Sequence, residues 1–256
     1  MSRTALVLSG GGLFGAWQVG AWCVLEKHLK PDVVIGCSIG SLNGWAIAGG
    51  ASGEELAEWW RRAAAEGRLR WRMPRHPLDG VLDFHQLERW IRDLHAAFQP
   101  KTEYHAVITE LFRLKPRMVH GSHVTWKHLA ASCALLGLLP QQRVGGKVYT
   151  DGGLLGALPL WAARESGATL TIGLNVMPRM PWPVRATLKP LRALRASQSS
   201  PRDSTVVLAP SRPLGPWKQG IVFDRARIEQ WIDLGRRDIE SAMVEKTFPP
   251  ENVFTA

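Results

Sequence analysis

Residues 36–40 read Gly-Cys-Ser-Ile-Gly. A serine with glycines two residues before and after it, placed where a β-branched run gives way to an apolar stretch, is the pattern of a nucleophile elbow. The turn has to be so sharp that a Cβ at Gly36 or Gly40 would clash. Ser38 then stands at a helix N-terminus, where partial positive charge favours a developing anion. Such a serine needs a base and a set of donors for an oxyanion. Residues 9–15, Ser-Gly-Gly-Gly-Leu-Phe-Gly, follow the apolar run Ala5–Leu8 and leave bare N–H groups at Gly10, Gly11 and Gly12, closed by Gly15. Two readings of those amides are open on this pattern: the phosphates of a dinucleotide, or an oxygen that is negative only during a reaction.

The usual base is a histidine, and in α/β-hydrolases it follows the serine and the acid near the end of the chain. Here the last histidine is His128, so half the chain carries none. The elbow also arrives after two strands, too early for that fold. An ordinary triad in that order is excluded unless an earlier histidine folds back. The remaining candidate is Asp151, followed by Gly152 and Gly153 after the short extended run Lys147-Val148-Tyr149. A lone Asp-Gly is equally the signature of a hairpin turn.

These residues need elements to hold them. Ala5–Leu8 reads as a buried strand and residues 13–29 as a helix interrupted by Gly20, with Trp17, Ala21, Val24 and Leu25 at helical spacing. Val33–Ile35 is a second strand and residues 39–49 a buried helix. Strand–helix–strand–helix opens an α/β fold with a parallel sheet. Helices are expected over 53–72, 84–98, 125–136, 157–166 and 224–246, and extended segments over 104–114, 116–119, 147–149, 169–176 and 205–209. The expected organisation is a single domain over residues 1–256, with a helical insertion near 53–100 and a basic Pro/Arg-rich loop near 177–203.

The 256 residues carry 32 Lys and Arg against 22 Asp and Glu, a net charge of +10, with 12 Trp and only 2 Tyr. A basic chain seeks phosphate, on nucleic acid or on an anionic membrane. Tryptophan favours the membrane–water interface. The Arg/Trp helix 53–72 and the loop 177–203, with Trp182, Leu188, Leu191 and Leu194, are therefore expected to touch an anionic membrane. No helix-turn-helix, zinc module or aromatic RNA signature is present, so no nucleic-acid partner is expected. Three cysteines without CxxC spacing exclude a disulfide framework. His120 and His123 have ligand-like spacing, but no neighbouring cysteine or acid completes a set, so neither metal nor cofactor is expected. No apolar run reaches the ~18–20 residues of a membrane span. The start lacks a signal-peptide pattern, and a cytoplasmic location with peripheral membrane contact is the expectation.

Taken together, the motifs resemble the patatin-like phospholipase family. Its glycine-rich loop matches Gly10–Gly15, its elbow matches Gly36–Gly40 with Leu42-Asn43 following, and its Asp-Gly-Gly element matches Asp151–Gly153. The segment from His128 through Ser132 and Ala134 to Leu139-Pro140 resembles the stretch leading to that aspartate. The likeness covers 4–50 and 125–176 well and 53–122 hardly. It implies a three-layer α/β/α fold with a mostly parallel central sheet, and a serine hydrolase of lipid acyl esters. It further implies Ser38 as nucleophile, Asp151 as base, and an oxyanion hole at Gly10, Gly11 and Gly12, chiefly the last two. One departure is Phe14, where the family usually carries Arg or Lys. It is expected to make the mouth of the site more apolar.

Rival readings share some of these residues. An acyltransferase or thioesterase would use the same acyl-enzyme with a different acceptor or substrate. Gly10-x-Gly12-x-x-Gly15 also satisfies the dinucleotide-binding fingerprint, with Asp32 as the acid. But Asp32 precedes the second strand, whereas a ribose-binding acid should end it.

Overall fold

The computed structural model describes residues 2–66, 70–177 and 204–245; the loop expected over 177–203 lies, apart from Met177, outside the described residues. One sheet contains β1 (Thr4–Leu8), β2 (Val33–Cys37), β3 (Glu103–Glu110), β4 (Lys115–His120), β5 (Gln142–Val144), β6 (Lys147–Asp151), β7 (Leu170–Leu174) and β8 (Ser204–Leu208). The described helices are α1 (Ala16–Leu25), α2 (Ile39–Ala48), α3 (Gly53–Glu66), α4 (His85–Ala97), α5 (Trp126–Ser132), α6 (Leu160–Glu165) and α7 (Arg225–Val244).

The strands β3, β2, β1, β7 and β8 are parallel neighbours in that order. Both faces of the central ones are covered, which is why β1 and β2 are apolar throughout rather than alternating. Leu6, Leu8 and Val34 join the larger core, with residues of α1 to α5 and α7. Ala5, Val7, Val33, Ile35 and Cys37 point the other way, toward Ala162 and Ala163 of α6. The α/β/α layering is as expected, and the sheet is mixed: β4, β5 and β6 are antiparallel additions at β3.

The pairing around β3 sets the position of the site. β4 occupies one edge of β3 along residues 105–110. On the other edge β2 pairs with residues 103–107, ending at Cys37 opposite Val107. β6 pairs with residues 108–110, with Asp151 opposite Ile108. A strand has only two edges, so β2 and β6 must share the second one in succession, meeting end to end between Val107 and Ile108. Gly152 confirms the junction: a Cβ there would lie 2.1 Å from the Val107 carbonyl oxygen and 3.2 Å from Cys37 Sγ.

Several elements are shorter than their sequence patterns. The first helix opens with a tight 3-10 turn at Gly12–Gly15 and closes at Leu25, and α5 stops at Ser132. β5 has no apolar run to announce it; it exists because β6 offers an edge. The helix expected over 53–72 is described as far as Glu66, residues 67–69 lie outside the described residues, and Trp71 makes an isolated bridge to Leu82. Its basic face is also engaged. Trp60 is fully buried, Arg61 pairs with Glu229 of α7 at 2.8 Å, and Arg62 pairs with Glu58. Trp60 and Arg61 serve packing, while Arg62 stays largely exposed.

Gly20, which breaks the apolar pattern of α1, has a packing reason. A Cβ at Gly20 would lie 1.9 Å from the Ile232 carbonyl oxygen, and one at Gly235 would lie 2.2 Å from that of Trp17. α1 and α7 therefore meet backbone to backbone. Gly235→Ala gains about 1 kcal/mol of helix propensity but forces the helices apart at a cost of about 1–3 kcal/mol. The net effect expected is a loss of stability, read as a lower urea midpoint.

Candidate active site

At the end of β2 the chain turns through Ser38 with φ 53° and ψ −129°. Ser38 and Leu114 are the two described non-glycine residues with positive φ. Such strain persists only where the surroundings over-determine it. Here a Cβ at Gly36 would lie 2.2 Å from the Gly40 carbonyl oxygen, and one at Gly40 would lie 2.5 Å from that of Leu8. Glycine at both positions lets the turn close against itself and against β1. The Ser38 N–H donates to Ser132 Oγ at 2.8 Å, and Ser132 donates in turn to the Val107 carbonyl at 2.7 Å. At the other side of the turn, Ser41 N and Oγ both donate to the Ser38 carbonyl, at 2.8 and 2.6 Å. Ser38 occupies the N-cap position of α2, yet its hydroxyl makes no capping hydrogen bond. That oxygen is left for other work.

The end-to-end meeting of β2 and β6 brings Asp151 to Ser38. Asp151 is buried, its N–H donates to the Ala134 carbonyl at 3.0 Å, and its Oδ1 accepts the Gly153 N–H at 2.6 Å. Burial pushes the carboxyl up to about 6, against the lowering effect of the Ser38 hydroxyl and the Gly153 N–H. Among the described residues Oδ2 has no well-formed hydrogen bond. The flanking thiols of Cys37 and Cys133 are raised well above their usual range by burial and stay neutral.

The glycine loop lies against the same serine. A Cβ at Gly10 would stand 2.9 Å from Ser38 Cβ and 3.7 Å from its Oγ. Gly10 is corrected as a donor, because its N–H is already spent on the Ala157 carbonyl at 2.9 Å; its role is steric. The N–H groups of Gly11 and Gly12 are not taken by any hydrogen bond among the described residues. Gly12 needs its φ of 58°, and a Cβ there would meet the Gly220 carbonyl oxygen at 2.3 Å. Gly15 packs on Ile39 and Asn43. All the motif glycines, with Gly152 and Gly153, therefore lie along the seams joining loop, elbow and Asp151.

Residues to which the sequence assigned no such role hold this loop. Gln18 Nε2 donates to the Ser9 carbonyl at 2.9 Å, and Asn43 Nδ2 donates to the Gly15 carbonyl and to Gln18 Oε1, both at 3.0 Å. Trp60 Nε1 donates to Asn43 Oδ1 at 2.9 Å. Ser9 Oγ accepts the Val176 N–H at 3.0 Å. The only sequence signal was that polar residues interrupt otherwise apolar helices. Phe14 differs from expectation: it does not line an open mouth but is buried edge-on against Trp231 of α7, with centroids 5.1 Å apart. Asp32 accepts the Thr4 N–H at 2.7 Å, at the opposite end of β1 from the glycine loop. It cannot bind a ribose beside that loop, and the dinucleotide reading falls. Clefts lined by Trp59, Leu87, Trp90 and Phe223, or by His76, Lys127 and Arg143, do not include Ser38 or Asp151.

A family model described as patatin-like phospholipase matches residues 6–164. The chain is 30% identical over 178 residues to a lysophospholipase NTE1 of Debaryomyces hansenii, covering 67% of this chain, and 29% identical to a lysophospholipase nte1 of Aspergillus oryzae over the same share. It spans 12% of the length of each of these relatives. Among solved structures, VipD from Legionella pneumophila superposes with a TM-score of 0.52 at 10% identity, covering 95% of this chain and 67% of that one.

Ser132→Ala would leave two buried backbone groups, the Ser38 N–H and the Val107 carbonyl, without a partner. At about 1–3 kcal/mol for an unsatisfied buried group, this substitution is expected to cost roughly 2 kcal/mol or more, measured by denaturant unfolding.

Proposed function

This chain belongs to the patatin-like phospholipase family, and from that premise we propose that it hydrolyses lipid acyl esters through a covalent acyl-enzyme on Ser38. The observation that carries the reading is the placement of a strained, uncapped serine beside a buried carboxylate with one unengaged oxygen, next to two unengaged backbone amides.

Ser38 Oγ attacks the carbonyl carbon of the ester while its proton passes to Asp151 Oδ2. The carbonyl oxygen becomes negative and is received by the N–H groups of Gly11 and Gly12. Collapse of the tetrahedral species expels the alcohol, which takes the proton from Asp151. Water then enters and gives a proton to Asp151 as its oxygen attacks the acyl carbon; collapse releases the fatty acid, and Ser38 Oγ takes the proton back from Asp151. A carboxylate near its ordinary pKa of ~3.9 is a weak base for this task. The rise to about 6 brings Asp151 closer to the operating range. The preset amides do the larger share, since losing one oxyanion donor typically costs ~10²–10³ in rate. Reading the substrate as a lipid rests on family membership and on the names of the yeast and mould relatives.

Labelling with a fluorophosphonate tests the nucleophile. Wild type is expected to label and to cleave a p-nitrophenyl ester, whereas Ser38→Ala should not label and should lose at least ~10³-fold in turnover. Asp151→Asn is expected to fall similarly. Undiminished turnover by Ser38→Ala would rule out the acyl-enzyme.

The working form of Asp151 is the deprotonated one. kcat/KM is therefore expected to be low below the pKa of about 6, rise through it and level off above. A profile already flat from pH 4 upward would remove Asp151 as the base.

A further inference from the structure

Beyond Val107 the sheet continues as an antiparallel extension, β4-β3-β6-β5, that runs past Ser38 and Asp151. It ends in two hairpin tips. One is residues 111–114, Leu-Phe-Arg-Leu, between β3 and β4. The other is Gly145-Gly146, between β5 and β6. Leu111 still donates to the Val148 carbonyl, so both tips leave the sheet at the same end. Phe112 is four residues beyond Ile108, the partner of Asp151. At ~3.3 Å per residue the tip stands roughly 10 Å past the aspartate.

The β5–β6 tip is an ordinary Gly-Gly turn, but the composition of the β3–β4 tip is unusual for a solvated turn, which favours Gly, Asn, Asp and Ser. Phe112 is 77% exposed and Leu114 is 41% exposed. Leu114 also holds a φ of 48°, where a branched side chain is strained. Leu136 is exposed two residues after Ala134, whose carbonyl accepts the Asp151 N–H.

Charge supplies the second, independent observation. Residues 111–150 contain six Lys or Arg side chains and no Asp or Glu. Of these, Arg113, Lys115, Arg117, Arg143 and Lys147 lie on the tips or on the strands leading to them. The carboxylate at their root, Glu110, is buried and shared by Arg113, Arg117 and Lys147. Single exposed apolar residues are ordinary. An apolar point ringed by unbalanced cations, on the end of the sheet that carries the serine, is the pattern of a surface-seeking element.

We propose that the β3–β4 and β5–β6 tips dock this protein on an anionic phospholipid bilayer, with Phe112 and Leu114 entering the acyl boundary and Arg113, Lys115, Arg143 and Lys147 meeting lipid phosphates. A bilayer fits better than nucleic acid because the β3–β4 tip exposes a phenyl ring and an isobutyl chain on either side of Arg113. The proposal relies on the acyl-ester reading for its purpose, bringing Ser38 to its substrate, but its test does not.

Flotation of the full chain with vesicles of phosphatidylcholine, with and without phosphatidylglycerol, reads the docking directly. Wild type is expected to float with the anionic vesicles and far less with the neutral ones. Phe112→Ser combined with Leu114→Gly, the second of which relieves the strained backbone, is expected to lower partitioning by about tenfold. Arg113→Gln with Lys115→Gln is expected to erase most of the preference for anionic vesicles. Both double variants should keep wild-type turnover of p-nitrophenyl butyrate, a monomeric ester, and Ser38→Ala should float like wild type. Undiminished flotation of the apolar double variant overturns the proposal. So does a wild-type chain that ignores both vesicles, or that binds a DNA duplex in a salt-sensitive way without binding vesicles. If no chain cleaves the monomeric ester while flotation behaves as described, the hydrolase reading fails and the docking surface stands.

Discussion

The site depends on one edge of one strand being used twice. β2 pairs with β3 as far as Val107, and β6 takes over the same edge at Ile108. Two strands that meet end to end cannot both continue, so each must turn away, and the residues at the break are Ser38 and Asp151. Ser38 turns into α2 through a backbone conformation that glycine neighbours make sterically possible. Asp151 turns into the 3-10 turn at Gly152–Leu155 and caps it with its own Oδ1. Their adjacency needs no long-range steering of flexible side chains. It is a by-product of hydrogen-bond register.

That register must be protected from the strain it creates. Ser132 holds the elbow to β3 by accepting from Ser38 and donating to Val107, the last β3 residue opposite β2. On the other side, the glycine loop is tied through Gln18 and Asn43 to Trp60 of α3, and through Phe14 to Trp231 of α7. The helices between residues 53 and 97, which lack recognisable motifs, thus contribute a buried indole N–H to the support of the loop. Buried polar chains of this kind stabilise only when every member is satisfied. Here Asn43 and Gln18 each use both ends of their amides.

The parts of the site whose chemistry is local were legible in the sequence. Gly36-x-Ser38-x-Gly40 and the glycines at 10, 11 and 12 announce themselves because a sharp turn and bare amides restrict which residues fit. The parallel strands β1, β2 and β7 were legible because burial on both faces demands unbroken apolar runs. What stayed hidden depends on pairs distant in sequence. The engagement of the Gly10 N–H by Ala157, the burial of Phe14 against Trp231, and the service of Ser132 to a turn 94 residues away have no local signature. Gly20 looked like a flaw in an amphipathic pattern until its partner backbone in α7 was in view. β5 escaped notice for the same reason, since a three-residue edge strand owes its form to its neighbour.

The contact between α1 and α7 has a consequence for how the chain is made. Trp17 bonds Asp238 across 221 residues, and the loop preceding α1 leans on Trp231. Synthesis proceeds from the N-terminus at ~5–20 residues per second, so α1 emerges from the ribosome roughly 10–40 s before its packing partner exists. During that interval the face of α1 that packs on α7 has nothing to bury against, although α3 can already cover another part of it. The glycine loop and α1 therefore gain this part of their support only late in synthesis.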